Sequence, residues 1–206
     1  MHWNVPAEKH EISAFSFRNS APQETMKDIN RLNELLIERS VKIGNFILAS
    51  GKSSNIYVDA RLTTMSPEGM SLIGPLSLER IRYEGWTPDS VGGLTLGADP
   101  VSVAISYASI SHKKPLRAFT VRKEAKTHGA GNLIEGPFFM GDRVVIVEDV
   151  ITTGKSALQA IDAITRAGAH VVGILAVVDR EEGGVDAVGK LGLKVVSLTS
   201  ISALVR

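Results

Sequence analysis

The stretch Val144-Val145-Ile146-Val147-Glu148-Asp149-Val150-Ile151-Thr152-Thr153-Gly154-Lys155-Ser156 limits what this chain can fold into more than any other part of it. The β-branched run 144–147 predicts a buried strand. Two adjacent carboxylates follow, then a short Thr/Gly/Ser turn that leads into a helical pattern. A turn at a helix N-terminus points unpaired N–H groups outward, and the positive end of the helix dipole adds to them. Residues 152–156 therefore predict an anion site. Glu148 and Asp149, at the strand's carboxyl end, are placed to accept hydrogen bonds from sugar hydroxyls, so the order of parts suits a sugar phosphate. An ordinary βα connection with N-capping threonines also explains the turn. It explains the carboxylates less well, because neighbouring like charges raise the free energy unless something binds them.

Gly154-Lys155-Ser156 looks like the end of a Walker A loop, which requires a glycine five residues before its last one. Asp149 stands there, and the pattern fails. The whole stretch instead resembles the phosphoribosyl diphosphate motif of type I phosphoribosyltransferases. That resemblance implies ribose hydroxyl contacts from Glu148 and Asp149. It seats the 5′-phosphate in the loop Thr152, Thr153, Gly154, Lys155 and Ser156, and counts Val150 and Ile151 with it among the residues that bind phosphoribosyl diphosphate. Lys155 takes the variable position, as a phosphate contact or a solvated side chain.

The segment Arg122-Lys123-Glu124-Ala125-Lys126-Thr127-His128-Gly129-Ala130-Gly131 follows a strand ending at Val121. Clustered cations with hinge glycines suit a lid over an anionic transition state, or else a solvated charged hairpin. The spacing resembles the catalytic loop of orotate phosphoribosyltransferases, which closes over the pyrophosphate leaving group, commonly in the partner subunit's site. By position, Arg122, Lys123, Lys126 and His128 take those roles.

A third segment, Val177-Val178-Asp179-Arg180-Glu181-Glu182-Gly183-Gly184, puts an arginine at a strand end beside acids and a glycine turn. A surface ion pair is the bland account. The family's Asp-Arg-x-x-Gly segment implies instead that Arg180 reads the orotate carboxylate, for which a guanidinium fork is suited. Thr152 and, more weakly, Tyr57 join it on the orotate side. Leu48 to Asp59 resembles the family's N-terminal substrate segment, with Ala49 where some members have lysine, a contact that either Lys52 replaces or this chain lacks. Thr95-Leu96-Gly97-Ala98-Asp99-Pro100 corresponds to a pyrophosphate-side loop, or to a plain turn.

The resemblance implies an α/β type I phosphoribosyltransferase fold, with a mainly parallel central sheet flanked by helices and a small N-terminal hood. It implies transfer of the phosphoribosyl group from phosphoribosyl diphosphate to orotate, giving orotidine 5′-monophosphate and pyrophosphate in de novo pyrimidine (UMP) biosynthesis. Lys123, Lys126, His128 and Asp149 are the expected catalytic groups. Mg²⁺ is the implied cofactor, carried on the diphosphate rather than in a protein cage. The implied partners are the two substrates and a second subunit sharing the lid, with neither nucleic acid nor membrane. A phosphoribosyltransferase for another base, or a regulator sensing phosphoribosyl diphosphate, are the alternatives.

Composition agrees with these limits. The 206 residues suit one domain with a proper core. A net charge of +1 gives no basic footprint for nucleic acid. No apolar run approaches the ~20 residues of a membrane span, and the N-terminus lacks a secretion signal's apolar core. The absence of cysteine removes thiol chemistry and fits a cytoplasmic protein.

Along the chain, residues 1–22 read as an irregular arm and 23–206 as a single domain, its hood drawn from about 23–65. Helical periodicity predicts helices over 24–38, 67–83, 101–110 and 156–167, the last ending at Gly168. Strands are predicted at 43–48, 55–58, 91–94, 116–121, 144–147, 171–178 and 194–198. Their alternation with helices from Val91 onward predicts a mainly parallel sheet.

Overall fold

The computed structural model describes residues 22–47, 53–124 and 133–205. The chain opens with helix α1 (Gln23–Arg39), whose Ile29, Leu32, Leu35 and Leu36 are buried. Strands β1 (Val41–Ile47) and β2 (Ser53–Val58) pair antiparallel as a separate two-stranded sheet. Short helix α2 (Arg61–Thr64) and long helix α3 (Pro67–Tyr83) follow. Ser66 caps α3, its Oγ accepting from the Gly69 N–H, and Pro67 takes the first helical position, where a missing N–H costs nothing.

From there strands and helices alternate: β3 (Ser90–Leu94), α4 (Ala98–Ala108), β4 (Arg117–Val121), β5 (Ile134–Glu135), β6 (Arg143–Ile151), α5 (Lys155–Arg166), β7 (His170–Asp179), α6 (Gly184–Gly189), β8 (Val195–Ser200) and α7 (Ile201–Leu204). The six-stranded sheet runs in the order β5-β4-β3-β6-β7-β8, parallel except for β5. Strand alternation divides its apolar side chains between two cores. Val91, Val145, Val147, Leu175, Val177 and Val196 pack with α1, α3 and α4 on one face. Val144, Ile146, Ile174 and Ala176 pack with Ala157, Ala160, Ile161 and Ile164 of α5 on the other.

The strand order reverses between β3 and β6. Open α/β sheets bind ligands at such a switch point, outside the carboxyl ends of the strands. No described helix is long and apolar enough to cross a membrane.

Several boundaries differ from expectation. Strand β6 does not stop at Val147; its pairing with β7 carries Glu148 against Ala176 and Ile151 against Asp179, so both carboxylates lie within the strand. Strand β2 begins two residues early, at Ser53, and α4 three residues early, at Ala98. Strand β5 was unforeseen, since two residues show no period. The four-residue helices α2 and α7 and the six-residue α6 are likewise too short to repeat.

Candidate active site

The site is built first by β6. Successive strand residues point to opposite faces, which separates the two carboxylates. Glu148 is buried, and its Oε1 has no hydrogen-bond partner among the described residues. Burial, reinforced by the adjacent Asp149 charge, pushes its carboxyl up to about 8. Asp149 is also raised by burial, against the pull of the Val150 N–H, which donates to its Oδ1 at 2.9 Å, and of Arg61. An orphaned buried carboxylate oxygen is costly unless a ligand supplies a donor.

Beyond β6 the chain turns through Thr152 and Thr153 into Gly154, whose φ of 79° lies in the left-handed region that glycine enters freely. Helix α5 then starts at Lys155. Lys155 and Ser156 are exposed, Thr152 is half-buried, and Val150 and Ile151 are held in the sheet. The first-turn N–H groups of α5 have no partner within the helix. The turn and the helix start fall at 152–156, where the sequence predicts an anion site.

Arg180 reaches the same place from β7. Its backbone N–H donates to the Ile151 carbonyl at 2.9 Å. The side chain is largely buried: Nη2 donates to Glu182 Oε1 at 2.7 Å and to the Ile56 carbonyl at 3.4 Å, while Nε is buried without a partner among the described residues. A fork held at one nitrogen, with a second donor unsatisfied, is poised for a carboxylate. The following turn packs Gly184 against the phosphate loop, where a Cβ would lie 2.6 Å from the Thr152 carbonyl oxygen.

The Ile56 contact brings the β1–β2 hairpin over the site. Tyr57, the weaker candidate on the orotate side, is 37% exposed, with the Phe46 ring 5.5 Å away. Past β2, Asp59 and Arg61 form an ion pair at 2.8 Å that holds the Asp59 carboxyl below its ordinary value. Arg61 also acts on Asp149 electrostatically. Sequence reasoning missed Arg61, although a cation two residues past the Asp59 that ended the matched segment was a usable signal.

On the opposite flank, the loop after β3 brings Gly97 against Asp149; a Cβ there would fall 2.3 Å from Oδ1. Asp99 accepts from Thr95 Oγ1 at 2.7 Å and from Thr120 Oγ1 at 2.9 Å. Strand β4 then leads to Arg122, half-buried and 3.6 Å from Glu135, and to the exposed Lys123, whose carbonyl accepts from Gln159 Nε2 at 3.0 Å. Lys126, His128, Ala49 and Lys52 lie outside the described residues. The structure therefore brings together Glu148, Asp149, the 152–156 loop, Arg180 and the hairpin, with Arg122 and Lys123 at the root of the cationic segment.

A glycine turn opening a helix at the switch point, two carboxylates beside it and a loop against Asp149 are the arrangement of a phosphoribosyltransferase. Residues 71–191 match the phosphoribosyl transferase domain family. The orotate phosphoribosyltransferase of Aquifex aeolicus (strain VF5) is 44% identical over 182 residues, 87% of this chain and 98% of that protein. That of Rhodopirellula baltica is 41% identical, over 85% of this chain and 93% of the relative. Among solved structures, Mycobacterium tuberculosis H37Rv orotate phosphoribosyltransferase in complex with Fe(III) dicitrate is 42% identical with a TM-score of 0.76, over 87% of this chain and 99% of that one. The same enzyme in complex with 5-phospho-α-D-ribosyl 1-diphosphate gives a TM-score of 0.73 at 36% identity, over 95% and 98%. The chain belongs to the orotate phosphoribosyltransferase family.

Proposed function

We propose that the chain transfers the 5-phosphoribosyl group from phosphoribosyl diphosphate to orotate, releasing pyrophosphate and forming orotidine 5′-monophosphate for pyrimidine synthesis. The observation that carries this is the contact of two segments: the Arg180 backbone N–H donates to the carbonyl of Ile151, the last residue of β6 before the 152–156 loop. A carboxylate-bearing base on Arg180 and a phosphate on residues 152–156 are then held by one unit. Thr152 lies between them.

The bond from the anomeric carbon to the pyrophosphate oxygen breaks, and a bond from that carbon to an orotate nitrogen forms. The leaving group keeps the electron pair, and the nitrogen's proton passes to solvent. No protein nucleophile is required. Placing the nitrogen beside the anomeric carbon lowers the barrier by orientation. Glu148 and Asp149 bind the ribose hydroxyls, and Asp149 also faces the positive charge growing on the ring. Arg122, Lys123, Lys126 and His128 neutralise the departing pyrophosphate. Closure of that segment excludes water and limits hydrolysis of the diphosphate.

Mg²⁺ would be carried mainly on the diphosphate, with the Asp149 carboxylate offering a hard oxygen donor beside it. When bound with the diphosphate, Mg²⁺ supplies charge neutralisation at the leaving oxygens. Residues 23–206 form one domain in this proposal, with the hood drawn from about 23–65, and the setting is cytoplasmic. The protein works as a homodimer whose cationic segment serves the partner's site. An exposed apolar row on α4 and the turn after it, Val103, Tyr107 and Ile110, supports a second copy as the partner.

The test is loss of orotate absorbance with phosphoribosyl diphosphate and Mg²⁺ present, with product identification. Consumption that needs all three and yields orotidine 5′-monophosphate is expected. A folded protein that binds the diphosphate yet leaves orotate untouched would overturn the base assignment.

A further inference from the structure

Both carboxylate oxygens of Asp99 accept from groups outside its own helix. Oδ2 takes the hydroxyl of Thr95, in the loop after β3, and Oδ1 takes the hydroxyl of Thr120, on β4. An acid in the first turn of a helix is favourable for the dipole alone, but that role asks for no partner on a neighbouring strand. The Thr95 N–H also donates to the Val121 carbonyl at 2.8 Å, so the loop is fastened to β4 at two points. The same loop sets Gly97 against Asp149. Two residues beyond Thr120 the chain reaches Arg122. One carboxylate thus joins the wall of the Asp149 site to the strand that delivers the cations.

We propose that Asp99 is a positioning residue for the pyrophosphate half of the substrate, setting the backbone of residues 95–97 and the exit of β4 at a fixed separation. Phosphate bound in the 152–156 cradle puts the ribose at Asp149, and the diphosphate beyond it meets residues 95–97. The proposal deepens the function given above and rests on that orientation of the substrate. A negative side chain near an anionic ligand is tolerable because both its oxygens are occupied by hydroxyl donors. Loss of the tie lets the loop shift, and displacement by about 1 Å away from the chemistry is enough to cost about 100-fold.

Four forms of the full chain test this: wild type, Asp99→Ala, the near-isosteric Asp99→Asn, and Asp99→Ala combined with Thr120→Val. Steady-state kinetics in both substrates are read beside calorimetric binding of pyrophosphate and thermal unfolding. Asp99→Ala is expected to raise the KM for phosphoribosyl diphosphate and weaken pyrophosphate binding about tenfold, with the orotate KM within about twofold of wild type. Asp99→Asn, keeping one acceptor, is expected to fall between, and Thr120→Val to add little to Asp99→Ala. An equal rise in both KM values, or unchanged kinetics with a lowered Tm, would overturn the proposal. If Asp99→Ala does not fold, Asp99→Asn decides by the same split. Should wild type bind pyrophosphate yet ignore orotate, the base assignment fails, and the pyrophosphate titrations still judge Asp99.

Discussion

Gly184 lies against Gly154 so closely that a Cβ on Gly184 would sit 2.9 Å from the Gly154 nitrogen. The turn after Arg180 and the 152–156 loop are therefore one packed unit. Gly184→Ala must push them apart, at a cost of about 1–3 kcal/mol. The expected result is a lower Tm together with a raised KM for both substrates. A variant with wild-type kinetics for either substrate would show that the two segments do not need each other.

Arg180→Ala should weaken orotate on the order of 100-fold, the loss of charge-assisted bonds to a buried carboxylate. Diphosphate binding should change little, because the Ile151 contact uses the arginine's backbone. Arg180→Lys is expected to recover only part of the loss, since an ammonium lacks the fork. Titration of each variant with orotate alone reads the effect, and unchanged orotate affinity rejects the assignment.

Glu148 gives a pH signature. Its carboxyl is raised to about 8 in the folded chain, chiefly by burial. An acid raised on folding contributes stability that is whole below its unfolded pKa and lost as pH climbs through the folded value. Glu148→Gln should therefore be more stable than wild type near pH 9 and gain little near pH 4. A ribose hydroxyl donates best to the ionised carboxylate, so kcat/KM for the diphosphate should rise with pH across an ionisation near 8 that Glu148→Gln lacks. The same inflection in the Gln variant would assign it elsewhere.

Lys126→Ala should reduce kcat far more than it weakens orotate binding, as expected for a group acting on the leaving pyrophosphate. Mixing Lys126→Ala with Arg180→Ala subunits tests sharing across the dimer. Random exchange makes half the dimers mixed, and each has one site with both residues intact if the segment acts in trans, so about a quarter of wild-type activity returns. No recovery after proven exchange places the segment in its own subunit.

The sequence carried the parts that depend on runs of residues. Val144–Val147 was long and branched enough to mark a central strand, and Ala157, Ile161 and Ile164 marked the buried side of α5. The turn into α5 and the placement of an arginine at the end of β7 were legible because turn chemistry and charge are local properties. The extent of β6 was not, since its last residues are held by pairing with β7, a contact distant in sequence. The glycine contact between residues 154 and 184, the Asp99 bridge and the exposure of Tyr57 arise only when the sheet is assembled.

Val121 pairs with Ile134 across β4 and β5, so the cationic segment leaves and re-enters the sheet at neighbouring points on one edge. Its ends are already together, and the entropy of closing such a loop grows only logarithmically with its length. Adding or removing a residue beyond Lys123 would cost the fold little, while changing how far the cations after it reach. In evolutionary terms the reach of the segment is adjustable almost independently of the stability of the domain, a freedom that the residues of β6 do not have.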